Sequence, residues 1–244
     1  MTGHKVVSEK EWRSARVALL AKEKALTHQR DALARERQEL PWVRVEKEYV
    51  FQTPEGKRTL GDLFGDKSQL LIYHFMFGPE WEQGCPSCSM ATDTMDANYL
   101  HVTHGDVAFA MVSRAPMEKI APFKKRMGWT VPWVSSDRSD FNFDFAVSFT
   151  NGDPKESNWY NFGTSNHPSD EAQGLSAFYK DTDGTVYHTY STYGRGPEGT
   201  LGVYALLDMA PRGRDEDALP WPMAWVRHHD RYETAKHAET SCAG

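Results

Sequence analysis

The sequence predicts an α/β sandwich: crossover units build a mostly parallel sheet, and an antiparallel hairpin completes it. Three observations point there. Residues 69–77 and 107–112 are near-continuous apolar runs of strand length, as expected for strands buried on both faces. Each run is followed by a helix-compatible stretch, the connection that parallel neighbours need. Asp181-Thr182-Asp183-Gly184 lies between the strand-like segments 175–179 and 186–190, which marks a hairpin turn.

The elements follow in order. Residues 8–39 read as one long helix, because Ser8 and Glu11 form a capping box and most later positions are Lys, Arg, Glu, Ala or Gln. Trp12, Leu19, Leu26, Leu33 and Leu40 recur every seven residues as a narrow apolar stripe. Lys22 and Gln29 occupy would-be d positions, so the stripe suits packing along its own domain or a partner subunit better than a coiled coil. Pro41 ends the helix. Residues 42–52 are strand-like, Thr53-Pro54-Glu55-Gly56 is a turn, and Thr59 can cap a helical turn over 60–64.

The buried strand 69–77 leads through the loop 78–84 into Cys85-Pro86-Ser87-Cys88. A helix over 89–101 is expected to face Met90, Met95 and Leu100 inward. After the strand 107–112, Pro116 opens a helix to about Met127, and residues 130–135 are extended. The stretch 137–173 is polar, rich in Asn, Asp, Ser and aromatics, and reads as an insertion. The hairpin is followed by a helix over 197–209 and a polar tail holding Trp221, Trp225 and Tyr232. The expected organisation is a helical extension at 1–40, a main domain at 41–210 and a tail at 211–244.

A net charge of −6 gives no electrostatic support for a nucleic-acid partner. No stretch approaches the ~20 apolar residues of a membrane span. The polar residues 1–12 lack the apolar core of a secretory signal, so the expectation is a cytoplasmic protein with no membrane partner. Three cysteines are too few for a disulfide scaffold. Cys242 stands alone in the tail and reads as an exposed thiol without a role. Cys85 and Cys88, in a reducing compartment, suggest redox or metal chemistry.

A strand, a C-x-x-C pair opening a helix, a second strand–helix unit and a late hairpin together describe a thioredoxin-like (peroxiredoxin-like) sandwich with a long N-terminal helix and an insertion before the hairpin. The dithiol then lies beyond the carboxyl end of a central strand, where open α/β sheets place reactive groups. A helix N-terminus favours a thiolate through its unpaired amides and partial positive charge. Pro86 suits the first turn, which needs no N–H there. Cys85 is therefore the expected nucleophile and Cys88, one turn on and deeper, the resolving thiol.

Around them, Trp81 and Glu82 belong to the same loop, Glu82 as a candidate proton acceptor, and Pro86 and Ser87 lie between the cysteines. His74 is a core histidine, a proton shuttle, or a third ligand for copper(I) beside the thiolates. Tyr193 and Arg195 end the hairpin strand and are candidates for lining a substrate groove. Zinc would need four ligands, and no second cysteine pair exists. His228-His229-Asp230 resembles a ligand cluster whose neighbours point apart on a helix, and Asp181, Asp183 and Gly184 lack the later Glu of a calcium loop. No cofactor is expected.

Several stretches add a resemblance: Leu40-Pro41-Trp42-Val43, Gly84-Cys85-Pro86-Ser87-Cys88-Ser89, and the run from Gly128 to Ser136. Asp140-Phe141-Asn142-Phe143-Asp144-Phe145, His188-Thr189-Tyr190-Ser191-Thr192-Tyr193 and Trp225-Val226-Arg227-His228-His229-Asp230 extend it over nearly the whole chain. These motifs are similar to those of the thioredoxin-like family catalogued as domain of unknown function 899. The resemblance implies a thioredoxin-like fold and a dithiol–disulfide oxidoreductase acting with an unidentified thiol or disulfide substrate and reductant.

Peroxiredoxins, similar in the strand before the cysteine loop and in the Asp-Gly hairpin, carry Thr or Ser three residues before the peroxidatic Cys. Here Glu82 precedes Cys85 at that spacing and Cys85 precedes Cys88. Thioredoxins carry a cis-proline before the hairpin strand, where this chain has Gly174 and Leu175. Dithiol exchange is therefore the first reading, with copper(I) binding and peroxidase-like thiol chemistry as alternatives. A third reading gives the long helix a role in homo-oligomer assembly.

Overall fold

The computed structural model describes residues 3–149 and 159–232. Cys242, the middle of the insertion and the end of the tail lie outside the described residues. The chain divides into two compact units, Met1–Trp42 and Val43–Gly244.

The first unit is α1 (Glu9–Gln38), opened by the expected capping box: Glu11 N–H donates to Ser8 Oγ at 3.3 Å and Ser8 N–H to Glu11 Oε2 at 3.0 Å. None of its residues is buried. Its regularity comes from helix-forming residues, a capped start and ion pairs such as Glu9–Arg13.

In the second unit, β1 (Val43–Arg44), β2 (Val50–Thr53), β3 (Gly56–Thr59), β4 (Gln69–His74), β5 (Val107–Ser113), β6 (Trp133–Ser135), β9 (Gly174–Lys180) and β10 (Val186–Tyr193) form one sheet. Its order is β1-β10-β9-β4-β5-β6-β2-β3. The pairs β4–β5 and β5–β6 are parallel, and β9 runs antiparallel to both β4 and β10. A parallel pair extended by an antiparallel hairpin, in the order β5-β4-β9-β10, with α2 (Pro86–Thr103) crossing from β4 to β5, is a thioredoxin-like sandwich. The insertion carries α4 (Phe141–Asp144) and the small pair β7 (Trp159–Tyr160) and β8 (Ser165–Asn166).

The crossovers step one way, β4 to β5 to β6, so constant handedness places α2 and α3 (Met117–Met127) on one face. Alternation along the strands sorts the core accordingly. Tyr73, Phe75, Phe109, Met111 and Trp133 pack with Cys88, Ile120 and Phe123 on that face. Leu70, Ile72, Val112, Val134 and Phe178 pack with Phe51, Phe64 and Phe141 on the other.

Local expectations needed several adjustments. The first strand-like segment is split into β1 and β2. As expected, Thr59 sits at the start of a helical turn, Gly61–Phe64, where it and Asp62 exchange hydrogen bonds. β4 ends at His74, and α2 starts at Pro86, the residue expected in its first turn. Leu100 is 77% exposed, because the C-terminal turns of α2 run past the edge of the core. The expected last helix is two pieces, a 3-10 turn Gly196–Thr200 and α5 (Gly202–Leu207). Among the described residues no helix is long and apolar enough to cross a membrane.

Candidate functional site

β4 delivers the chain to the dithiol at the carboxyl end of the parallel strands. Phe75, Met76 and Phe77 leave the strand, but their backbone stays tied. Phe75 N–H donates to the Val112 carbonyl at 2.9 Å, and Cys85 N–H donates to the Met76 carbonyl at 3.0 Å. Lys119 Nζ holds the intervening loop by donating to the carbonyls of Pro79 and Trp81 at 2.8 and 3.2 Å. Gly84 allows the close pass before Cys85, since a Cβ there would sit 2.5 Å from the Phe75 ring.

Cys85 is the N-cap of α2, Pro86 opens its first turn, and Cys88 N–H points at Cys85 Sγ at 3.5 Å. Both thiols are unbridged; Cys85 is half-buried and Cys88 buried. The Cys88 thiol donates to Cys85 Sγ and draws its pKa down to about 7 against the burial that opposes ionisation, aided by the Cys88 and Ser87 amides and the Ser87 hydroxyl. Cys88 moves the opposite way. Burial pushes its thiol well up, as does its bond to Cys85, while the Tyr73 hydroxyl and the Met76 amide act against this.

Tyr73 is a buried phenol whose own pKa is raised by burial and by the neighbouring thiols. It therefore stays protonated and donates to Cys88. Tyr160, from β7 in the insertion, reaches the same region: its hydroxyl accepts from Gly194 N–H at 2.7 Å and donates to the Gln173 carbonyl.

A cavity of about 130 Å³ opens on the dithiol, with Ser87, Gln173, Arg195 and Glu198 as polar members of its lining. Arg195 and Glu198, three residues apart on the turn that follows β10, form an ion pair at its mouth, where the Arg195 side chain is largely exposed. The segment after β10 covers it, and residues 223–232 pack down beside it. His228 is clamped there: Arg126 Nη2 donates to its Nδ1 at 2.7 Å, so the proton resides on Nε2, which donates to the Gly84 carbonyl at 2.9 Å. Asp230 pairs with Arg126 at 3.0 Å, and His229 donates to Asp93 on α2 at 2.7 Å.

The expected site residues separate into two groups. Cys85, Cys88, Ser87 and Arg195 line the cavity, while Pro86 sits exposed in the first turn of α2, outside the lining. Trp81 packs behind it against the core, with its ring over Gly78, and does not line it. Glu82 is exposed and also outside the lining, so it is not placed as a proton acceptor.

His74 takes the core-histidine reading and not the proton-shuttle or ligand one. One-residue alternation from Tyr73 turns it to the opposite face, where it stacks on Phe141 and Phe145 and bonds Ser176 Oγ at 2.8 Å. Burial and nearby His188 lower its pKa to about 3, so it is neutral and holds no contact with either thiol. It cannot complete a copper(I) set with the cysteines, and among the described residues no three His, Cys, Asp or Glu side chains converge as a metal site. Tyr193 is buried and lines a different cavity with His188, touching the dithiol region only through its ring contact with Tyr160.

Three contributors were not assigned to the dithiol region from the sequence: Tyr73, Tyr160 and His228. Only Tyr73 carried a local signal, being one alternation step from a dithiol-facing strand end.

No protein of curated description matches the sequence. Among solved structures, the chain is similar to the peroxidoxin BcpB from Mycobacterium tuberculosis, with 14% identity, a TM-score of 0.46, and coverage of 67% of this chain and 94% of that one. It is also similar to a Xanthomonas campestris peroxiredoxin Q mutant, with 16% identity, a TM-score of 0.43, and coverage of 65% and 89%. StoA from Bacillus subtilis follows at 13% identity, a TM-score of 0.37, and coverage of 62% and 90%. The family model described as bacterial protein of unknown function, DUF899, matches residues 1–232, and the chain belongs to that family.

Proposed function

We propose that the protein is a dithiol–disulfide oxidoreductase in which Cys85 is the nucleophile and Cys88 the resolving thiol. The observation that carries the reading is the position of Cys85 Sγ: at the N-cap of α2, facing an amide, and open to a cavity. The Cys85 thiolate attacks one sulfur of a substrate disulfide, forming a new S–S bond as the substrate bond breaks and one thiolate leaves. Cys88 Sγ then attacks Cys85 Sγ, closes the protein disulfide and releases the second substrate thiol, which takes the Cys88 proton. Two electrons pass from the dithiol to the substrate. The Tyr73 hydroxyl supports the second step by donating to Cys88 Sγ as negative charge builds there.

The test is the pH dependence of Cys85 alkylation by iodoacetamide in the reduced protein, paired with a redox titration of the Cys85–Cys88 couple. The expected midpoint is pH about 7, with a two-electron couple. A midpoint at the ordinary thiol value of about 8.5, or thiols that do not pair on oxidation, sinks the reading.

A further inference from the structure

We infer that the substrate of this dithiol is a low-molecular-weight dialkyl disulfide, admitted into the cavity over Cys85, and not a disulfide held in a polypeptide. The inference rests on the dithiol reading above and adds the substrate class.

Size is the first argument. The cavity holds about 130 Å³, against the ~150 Å³ of an apolar cavity that accommodates a single benzene. A peptidyl disulfide brings two chain segments with it, each needing a strand's width of about 4.8 Å and partners for its N–H and C=O groups.

Lining chemistry is the second. Met76, Ala91, Met95, Leu201, Tyr204 and Met223 present carbon and sulfur around the thiols. The polar groups of the lining are engaged with one another or, like the outer edge of Arg195, face solvent at the mouth. Arg195 and Glu198 hold each other, Gln173 Nε2 donates to the Gly194 carbonyl, and Ser87 serves Cys85. Among the described residues, the buried side-chain polar atom lacking a partner is His74 Nδ1, on the opposite face of the sheet. Below the mouth, the apolar walls offer no partner to the carboxylate or ammonium of a charged disulfide, whose desolvation there would go uncompensated.

The cover is the third argument, because it is tied down. Glu216 accepts from the Tyr204 hydroxyl at 2.7 Å, from Trp225 Nε1 at 2.6 Å and from Met223 N–H at 3.0 Å. Arg214 bridges Glu198 and Asp208, and its guanidinium lies 4.1 Å from the Tyr204 ring centroid. A polypeptide substrate would have to break this lattice before its sulfur reached Cys85, whereas a small apolar molecule fits beneath it. In one turnover, RS–SR and the dithiol give two RSH and the Cys85–Cys88 disulfide, so atoms and electrons balance with no further reagent.

The experiment exposes the prereduced full-length protein to diethyl disulfide, oxidised glutathione and insulin. Each oxidation rate is divided by the rate of the same disulfide with dithiothreitol, and pairing is read as loss of two alkylatable thiols in the intact-mass spectrum. Diethyl disulfide is expected to lead the other two by about tenfold or more, the scale on which a small apolar pocket discriminates. Leu201→Ala, which removes part of the cover, should narrow that lead. If oxidised glutathione or insulin equals or exceeds diethyl disulfide after normalisation, the small-substrate inference is overturned and the dithiol reading stands. If none of the three pairs the cysteines, both fall. A lead that Leu201→Ala leaves unchanged would reject the cavity as its cause.

Discussion

Two sulfurs one helical turn apart have opposite acidities because they play opposite hydrogen-bonding roles. Cys85 accepts, from the Cys88 thiol and from the amides of the first turn, and its pKa falls to about 7. Cys88 donates to Cys85, is fully enclosed, and is pushed up. Cys88→Ala should therefore raise the Cys85 alkylation midpoint from about 7 toward the ordinary ~8.5. The amides left at the helix start should keep it below that value. The alkylation profile of the variant checks this, and an unmoved midpoint would assign the shift to the backbone alone. The placement of the pair at the start of α2, Pro86 included, was legible in four consecutive residues, because N-cap geometry is local. The partner that polarises Cys88 was not legible: Tyr73 meets it only after the strand, the loop and α2 have folded together.

At the level of elements, the segment ending in Trp225-Val226-Arg227-His228-His229-Asp230 works as a strap over the start of α2. Its residues resemble a ligand cluster whose neighbours were expected to point apart, and they do: His228 and Asp230 turn to Arg126, with His228 also on Gly84, while His229 turns to Asp93. His228 lies 144 residues from the carbonyl it grips, and no periodicity reports such a contact. His228→Ala removes the donor to the Gly84 carbonyl and the acceptor for Arg126 together. The expected cost is about 1–3 kcal/mol of stability, seen in urea unfolding, with faster amide hydrogen exchange at Gly84 and Cys85. Unchanged exchange there would show that the strap does not set the loop. The capping box of α1 and the Asp-Gly turn of the β9–β10 hairpin behaved as their residues implied, since each is closed by groups within a few positions. The last helix is broken at Leu201, which leaves helical geometry (φ −90°, ψ 88°) with its side chain packed against the core.

Across the whole molecule, the sheet sorts titratable groups by face and depth. Glu171, 1% exposed, pairs with Arg114 at 3.0 Å from 57 residues away and accepts from Ser148. Burial raises its pKa to about 7, against the ion pair and the Ser148 bond that lower it. The sign follows directly: between pH 4.5 and about 7 the folded protein keeps a proton that the unfolded chain releases, so stability falls as pH rises through that window. Glu171→Gln cannot ionise and should lose this slope. Comparing wild type and variant by urea unfolding at pH values either side of the window should give a difference that changes on the order of 3 kcal/mol; a constant difference would contradict the raised pKa.

Fold class and the helix-start position of Cys85 and Cys88 were encoded locally, in apolar runs, turn residues and an N-cap pair whose partners lie within one turn of the chain. Which face His74 occupies, which phenols flank the thiols and what covers Cys85 were decided by tertiary packing. His74 shows the physical reason best. Strand alternation gave it a definite face, but only the pairing of β4 with β5 and β9, and the helices and insertion laid on each side, determined which face looks onto the dithiol.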